Sequence, residues 1–305
     1  MKRPLAFDPG TGIDLHLHST ASDGTLAPAQ IVHQAVRIGL KAIAITDHDT
    51  LTGSLSAFSS GIPPSLQFLS GVEISAAAPD GFQVKESVHI LGYGVAFDNP
   101  RLNALLEVLK QSRENRTPKI FNRLNALGIP LDMAELADIV GNGIAGRPHI
   151  AQLMIKKGFV ASVDEAFDLY LGKDKPAYAG KYRVPMKEAI EAIGDAGGVA
   201  VLAHPFLCGL DDADTFEGFL RVLISMGLKG IEAIYPGQGR ERTSWYCHLA
   251  GEHNLLITGG TDYHGEVTPH LKMGVGDGHL HVPFVYYEKL SKAISRNNNG
   301  RTAFR

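Results

Sequence analysis

The sequence predicts a βα barrel that is interrupted by an all-helical insertion. Up to about Gly94, short apolar runs alternate with helical stretches, which is typical of a fold built from repeated βα units. From residue 99 to residue 182 the pattern is almost purely helical, and strand signals resume after it. We therefore expect a first barrel part at residues 1–98, a helical insertion at 99–182 and a second barrel part at 183–305.

The first barrel part begins with a short apolar strand at Ile13–Leu17. A helix over residues 28–39 follows, with Pro28 in its first turn and Gly39 as its stop signal. Ile31, Val32 and Ala35 lie on one face of that helix, as burial against a sheet requires. Further buried strands are predicted at residues 41–45, 68–74 and 88–93.

The middle of the chain shows leucines at helical spacing from Leu102 to Leu109. Helical patterns recur over residues 120–127, 133–140, 149–157 and 163–171. Strands are predicted again at residues 199–203, 230–234 and 255–258, so the barrel resumes after the insertion.

Charge and composition limit the partners of the chain. The net charge is -3, which argues against a duplex DNA partner, because duplex-binding proteins usually carry a basic surface. No apolar run reaches the roughly 18 residues of a membrane helix, so we expect no membrane partner. The two cysteines have no metal-type spacing and indicate a cytoplasmic protein. Residues 101–183 hold 13 Lys and Arg against 9 Asp and Glu, which favours an anionic ligand there, although chance can also give such a bias.

Histidines and carboxylates stand at or near the ends of most predicted strands. In a βα barrel these ends meet at one face, so the side chains should converge. A single His-x-His pair is usually incidental, but the whole set predicts a metal site. Imidazole and carboxylate without thiolate suit Mn²⁺, Zn²⁺ or Fe²⁺, and so many donors imply two or three ions. The candidate ligands are His16, His18, Asp23, His48, Glu73, His89, His204, Asp262 and His264.

These residues stand in motifs that resemble those of the PHP (polymerase and histidinol phosphatase) family: Leu15-His16-Leu17-His18-Ser19, Ser22-Asp23-Gly24, Thr46-Asp47-His48-Asp49, Gly71-Val72-Glu73, Ala203-His204-Pro205 and Thr261-Asp262-Tyr263-His264. The resemblance implies a distorted (βα)7 TIM-like barrel, the PHP fold, and three divalent ions, with Mn²⁺ the first choice and Zn²⁺ or Fe²⁺ as alternatives. It also implies three ligand sets: His16, His18, Glu73 and Asp262; Glu73, His89 and His204; and Asp23, His48 and His264.

The insertion contains candidate residues for binding phosphate. Arg113 and Arg116 are three apart on a predicted helix, so they share a face and could clamp one phosphate, unless that face is simply solvated. Arg147 and His149 flank Pro148 at a predicted helix N-terminus, which favours anions, and a structural cap is the alternative. Arg113–Arg116, 146–151 and 175–178 resemble the insert of the PHP branch that contains nucleoside bisphosphate phosphatases and RNase AM-like enzymes.

The expected activity is that of a phosphomonoesterase, a hydrolase that releases the 3′-phosphate of nucleoside 3′,5′-bisphosphates by attack of a metal-bridging hydroxide. Glu73, Asp262 and His264 are the expected catalytic residues. The alternatives are a phosphodiesterase on a cyclic sugar phosphate, a 5′→3′ exonuclease on short RNA, and a non-catalytic module that binds a nucleotide. Phe206-Leu207-Cys208 replaces a Gly-Arg pair that we expect after the Ala203-His204-Pro205 motif, which leaves the exact substrate open.

Overall fold

A nearly closed sheet forms the body of the protein in the computed structural model, which describes residues 12–85, 88–141 and 143–298. Within these residues seven strands lie side by side in the order β1, β2, β3, β4, β6, β7, β8, and the two-residue β5 pairs with β3. The gap between β8 and β1 is bridged where Tyr263 pairs with Leu17. The strands are β1 (Ile13–Leu17), β2 (Ala42–Ile45), β3 (Gln67–Ala77), β4 (Val88–Tyr93), β5 (Val184–Pro185), β6 (Val199–Leu202), β7 (Gly230–Ile234) and β8 (Leu256–Gly259).

One strand runs against the others and distorts the barrel. β4 is antiparallel to both β3 and β6, whereas the pairs β1–β2, β2–β3, β6–β7 and β7–β8 are parallel. The chain therefore passes from β3 to β4 as a hairpin, without the crossover helix that a parallel neighbour would need. The predicted distorted (βα)7 barrel is confirmed.

Helices cover the outside of the sheet and form the middle of the chain. α1 begins at the predicted proline and buries Ile31, Val32 and Ala35, and the chain leaves it through Gly39 in a left-handed turn (φ 79°). Among the described helices, none is long and apolar enough to cross a membrane. The helices are α1 (Pro28–Arg37), α2 (Thr52–Ser59), α3 (Pro100–Ala126), α4 (Met133–Val140), α5 (Arg147–Lys156), α6 (Val163–Ala166), α7 (Met186–Asp195), α8 (Ala213–Ser225), α9 (Gly239–Glu252) and α10 (Phe284–Asn298).

The long helix α3 links the barrel to a second apolar core. Leu102 and Leu109, in its first half, pack into the core beneath the sheet. Ile120 and Leu124, in its second half, belong to a separate cluster that includes residues of α4, α5 and α6. The change of partner coincides with Pro118, which lacks the amide that would donate to the carbonyl of Glu114. The middle segment thus has a core of its own, while its exact limits at residues 99 and 182 stay a prediction.

Candidate metal centre

Glu73, near the middle of β3, is the centre of the candidate site. Its Oε2 lies 2.7 Å from His48 Nδ1 and 3.3 Å from His18 Nε2. Its other oxygen, Oε1, lies 2.7 Å from His89 Nδ1 and 2.8 Å from His204 Nε2. Because the two oxygens face different histidines, this fully buried carboxylate can bridge two cations.

A second carboxylate joins the two histidines of β1. Asp262 Oδ1 lies 3.3 Å from His16 Nε2 and 3.1 Å from His18 Nε2, so the His-x-His pair does face one position. A third carboxylate, Asp23, has Oδ1 3.3 Å from His264 Nε2 and Oδ2 3.8 Å from His48 Nε2. The structure therefore brings all nine predicted donors to one face of the barrel.

The backbone is strained where several of these side chains are presented. His204 and Asp262 have φ angles of 25° and 52°, and Asp49, next to His48, has a φ of 55°. Positive φ costs a residue other than glycine of order 1 kcal/mol or more, and it persists where the surrounding structure over-determines it. Here it turns the chain sharply at the ends of β2, β6 and β8, so that the side chains reach the barrel mouth.

The donor atoms fit divalent cations. Histidine nitrogens and carboxylate oxygens are buried without a hydrogen bond in acceptable geometry, and each such atom costs roughly 1–3 kcal/mol unless a ligand satisfies it. Three groupings could each hold one ion: His16, His18, Glu73 and Asp262; His18, Asp23, His48 and His264; and His48, Glu73 and His89. The first matches an expected set, the second adds His18 to another, and the third contains His48 where the expected set has His204. The unsatisfied atoms are His16 Nε2, His18 Nε2, Asp23 Oδ1, His48 Nδ1, Glu73 Oε2, His204 Nδ1 and Asp262 Oδ1.

Electrostatics keeps the carboxylates ionised and one histidine neutral. Burial opposes ionisation of Glu73, but the neighbouring His48 and His89 hold the pKa of its carboxyl well below the usual range. The pKa of Asp262 is likewise far below its ordinary value, because His16 and His264 outweigh burial. Burial lowers the pKa of His48 to about 4 despite Glu73, so its imidazole is neutral near pH 7, the form that binds a cation.

Two acidic residues that sequence reasoning missed hold the donors in place. Glu232 on β7 is fully buried, its Oε1 lies 2.9 Å from His16 Nδ1, and its Oε2 accepts a hydrogen bond from the His204 amide at 2.7 Å. Asp47 accepts hydrogen bonds from the Ser19 amide and the Ser22 hydroxyl, which fixes the loop between His18 and Asp23. The sequence did contain a signal for Glu232, because it is the single charged residue inside the apolar strand predicted at residues 230–234.

Cationic side chains cover the donors from the helical segment. Arg113 Nε donates to Asp49 Oδ2 at 2.7 Å, and Lys181 Nζ lies 3.2 Å from the same oxygen. Arg116 is 5% exposed, and its Nε has no hydrogen-bond partner in the described part of the chain. Burial and the nearby Arg113 and Arg147 lower the pKa of Arg116 to about 9. The burial of Arg113 and Arg116 contradicts a merely solvated helix face.

Arg147 and His149 have different surroundings. The Arg147 guanidinium lies over the rings of Phe167 and Tyr178, 5.0 Å and 5.6 Å from their centres, and it donates to the Leu171 carbonyl. His149 is buried, and its Nδ1 accepts a hydrogen bond from the Gly146 amide at the start of α5. This contact is a helix cap, and His149 is not among the described residues that line the cavity.

Donors and cations share one cavity of about 350 Å³. Its lining includes Asp23, His48, His89, Asp262 and His264 from the barrel, and Arg113, Arg116, Arg147, Lys181 and Arg183 from the cationic side. Tyr235 also lines it, and its hydroxyl donates to Asp262 Oδ2 at 3.0 Å. Phe206, in the segment that departs from the expected motif, packs instead beneath the guanidinium of Arg242.

Comparisons with known proteins agree with this geometry. The structure is similar to that of a protein from Bifidobacterium adolescentis assigned as a metal-dependent phosphoesterase, with a TM-score of 0.82, 28% identity and coverage of 93% of this chain and 97% of that one. The sequence is 32% identical over 255 residues to a 5′-3′ exoribonuclease of Haemophilus influenzae, covering 82% of this chain and 89% of the relative. It is 29% identical over 253 residues to a 3′,5′-nucleoside bisphosphate phosphatase of Chromobacterium violaceum, covering 83% and 87%.

The fold, the donor set and these relatives together define a metal-dependent hydrolase that acts on phosphoester bonds. The profile of the PHP domain matches residues 14–129. The chain belongs to the PHP family, and the predicted resemblance is confirmed. The chain is therefore an enzyme, and the alternative of a non-catalytic binding module is wrong.

Proposed function

We propose that the chain releases the 3′-phosphate of nucleoside 3′,5′-bisphosphates at a centre of three divalent ions, with Mn²⁺ the preferred ion. The observation that carries this proposal is the pairing, in one cavity, of donors for cations with a buried arginine, Arg116, whose Nε has no hydrogen-bond partner among the described residues. A substrate with two phosphates would satisfy both sides. The bisphosphate phosphatase of Chromobacterium violaceum supports the same assignment.

The nine donors would hold the ions, with Glu73 between two of them. Divalent cations bound there would lower the pKa of water and neutralise the oxygens of the phosphoryl group under attack. Asp262 and His264, which line the cavity, are the residues we propose to act on the attacking water and the leaving 3′-oxygen. Arg113, Arg116 and Arg147 would hold the 5′-phosphate. His149 would support Arg147 by capping α5, since both residues lie in the first turn of that helix.

The helical segment at residues 99–182 is proposed as the insertion that selects the substrate, because it contains four of the five Arg and Lys residues in the described lining of the cavity, Arg113, Arg116, Arg147 and Lys181. A cytoplasmic location is proposed on the free state of Cys208 and Cys247.

A second candidate activity is removal of nucleotides from the 5′ end of short RNA. The relative from Haemophilus influenzae is named a 5′-3′ exoribonuclease. The first nucleotide of a 5′-phosphorylated RNA carries the same two groups, a 5′-phosphate and a 3′-phosphoryl group. Attack of water on the 3′ phosphorus would break its bond to the 3′-oxygen, release a nucleoside 5′-monophosphate and leave a 5′-phosphate on the shortened RNA.

Phosphate release from adenosine 3′,5′-bisphosphate by the Mn²⁺-loaded protein tests the proposal. We expect rapid release by the wild type and a rate at least about 100-fold lower in His48→Ala. Release from adenosine 3′-monophosphate should be slow, because this substrate lacks the 5′-phosphate that the arginines would bind. A 5′-phosphorylated pentaribonucleotide in the same assay tests the second activity. Equal rates on the mono- and bisphosphate would contradict the role of the arginines, and no release from either would contradict the phosphomonoesterase.

A further inference from the structure

The cavity has an apolar wall, although most of its other lining residues are charged or polar. Val163 and Phe167 contribute to this wall from the helical segment, and Val267 and Leu271 contribute from the loop after β8. Val267 is buried, while the other three side chains are partly exposed. These four residues, called the apolar wall below, belong to the same cavity as the metal donors and the arginines, so a single bound molecule can contact all three.

The proposed substrate has three parts that a protein can recognise. Its two phosphates suit the metal donors and the cationic side chains. The nucleobase then still needs a binding site. A base is flat and apolar on its faces, and in proteins it is usually held by stacking and apolar contact. Resting on the proposed function, we propose that the apolar wall of Val163, Phe167, Val267 and Leu271 binds the nucleobase of the substrate.

Phe167 connects this wall to the phosphate-binding side. The guanidinium of Arg147 lies 5.0 Å from the centre of the Phe167 ring, so one ring both orients the arginine and contributes to the wall. A nucleotide whose base packs on the wall would thus have its 5′-phosphate near Arg147. Stacking tolerates every base because each has a π face, so the wall selects for the presence of a base and not for its identity.

Thr268, between the two apolar residues of the loop, adds one polar group. It lines the same cavity, and the described part of the chain offers its buried Oγ1 no hydrogen-bond partner. Buried hydroxyls without a partner are uncommon in folded proteins. The polar edge of a base lying on the wall would provide such a partner.

A neighbouring cavity of about 190 Å³ is the competing location for the base. It shares Tyr178 and Arg183 with the main cavity and is otherwise formed by small apolar residues, among them Ala77 and Val84, together with Lys173. Its described lining contains no metal donor and neither Arg113 nor Arg116, so a nucleotide there would have to span two compartments. We therefore assign the base to the apolar wall, and a variant in each cavity distinguishes the two.

Binding of the reaction product tests this inference without depending on hydrolysis. Calorimetry with the full chain would compare adenosine 5′-monophosphate with ribose 5-phosphate, which has the phosphate and lacks the base. We expect the nucleotide to bind about 10-fold more tightly. Leu271→Ala and Val163→Ala should each remove most of this preference and leave ribose 5-phosphate binding unchanged, whereas Ala77→Leu, which fills the neighbouring cavity, should keep it.

Hydrolysis supplies the second readout. Adenosine 3′,5′-bisphosphate should have a kcat/KM about 10-fold above that of the abasic 1-deoxyribose 3,5-bisphosphate. In Leu271→Ala the two kcat/KM values should become similar. Equal affinities and rates with and without the base in the wild type would overturn the inference, as would a preference lost in Ala77→Leu and kept in Leu271→Ala. A preference in binding with no hydrolysis of either bisphosphate would leave the base site standing and refute the proposed function instead.

Discussion

Asp49 joins the metal-binding side of the cavity to its cationic side. It follows His48 in the chain and is only 1% exposed. It accepts hydrogen bonds from Arg113, Lys181 and the Ser75 amide. Burial raises the pKa of this carboxyl, but the nearby Lys181 and Arg113 outweigh burial and hold the pKa well below the usual range. One carboxylate thus fixes the positions of two cations that belong to a different part of the fold.

Replacing Asp49 with Asn should therefore misplace both cations. We expect Asp49→Asn to raise the KM for adenosine 3′,5′-bisphosphate by about 10-fold or more, with a smaller change in kcat, because the lost contacts position a phosphate that does not react. The KM for an aryl phosphate, which has no second phosphate, should change little. Asp80→Asn, on the exposed loop after β3, is the matched control. A similar loss on both substrates would count against the positioning role.

Lys181 gives the cavity a charge that depends on pH. Burial, together with repulsion from Arg113, lowers the pKa of its ammonium group to about 7, with Asp49 acting in the opposite direction. A lowered lysine pKa means that the charge is present below pH 7 and is lost as the pH rises above it. The contribution of Lys181 to anion binding should therefore fade between pH 6 and pH 8.5.

The measurement is the ratio of KM values for Lys181→Met and the wild type across this pH range. We expect the ratio for adenosine 3′,5′-bisphosphate to fall several-fold as the pH rises, because the two proteins become alike once Lys181 is neutral. Ionisation of the substrate affects both proteins and cancels in the ratio. A ratio that is constant from pH 6 to 8.5 would show that Lys181 stays charged or does not meet the substrate.

At the residue scale, local pattern was sufficient to predict that the nine donors converge. Each stands at or near an end of a predicted strand or in the loop after it, and the barrel gathers these positions at one face. Glu232 was missed, since its importance depends on His16, a partner 216 residues away in the chain. No short motif reports a contact of that range.

At the scale of elements, the junction between the helical segment and the barrel depends on a close approach of backbone. A Cβ added at Gly143 would lie 2.3 Å from the Thr20 carbonyl oxygen, and the Ile144 amide donates to the Ala21 carbonyl in the same junction. The barrel loop at this contact continues to Asp23. The glycine is therefore required by the space available.

Gly143→Ala should push the two loops apart. We expect it to destabilise the protein by about 1–3 kcal/mol, the usual cost of overpacking, and to lower Tm by roughly 2–10 °C. Gly180→Ala is the control, since a Cβ there would meet nothing within 4 Å. Thermal unfolding followed by circular dichroism compares the three proteins. An unchanged Tm in Gly143→Ala would show that the junction can separate without cost.

Elements were predicted well where apolar periodicity was strong and less well at their joints. The patterns around Leu102–Leu109 and at 120–127 turned out to be the two halves of α3, which continues through Pro118 because each half packs on a different core. The two-residue strand β5 was missed, since a strand of that length has no periodicity to detect.

At the scale of the whole molecule, the metal centre should contribute to folding stability. Its candidate ligand atoms come from β1, β3 and β4 and from the segments after β1, β2, β6 and β8, so bound ions would link most strands of the barrel. A ligand that binds only the folded state stabilises it by about 2.7 kcal/mol at 100 times its Kd.

We expect Mn²⁺ in such excess to raise Tm by roughly 5 °C or more over protein treated with a chelator. The shift should be much smaller in His48→Ala and unchanged in His33→Ala, whose histidine is exposed on α1. Differential scanning calorimetry with and without chelator gives the comparison. Equal shifts in both variants would mean that the ion acts elsewhere on the protein.

The barrel and the helical segment together form the cavity. Every candidate metal ligand belongs to the barrel, at residues 16–89 or 204–264, whereas Arg113, Arg116 and Arg147 belong to the helical segment with its own core. Such a chain could exchange its helical segment for another and keep the hydrolytic centre intact. Relatives in this family can then diverge in what they cleave while inheriting how they cleave it, and grafting this segment onto another PHP barrel would be a direct route to retargeting that enzyme.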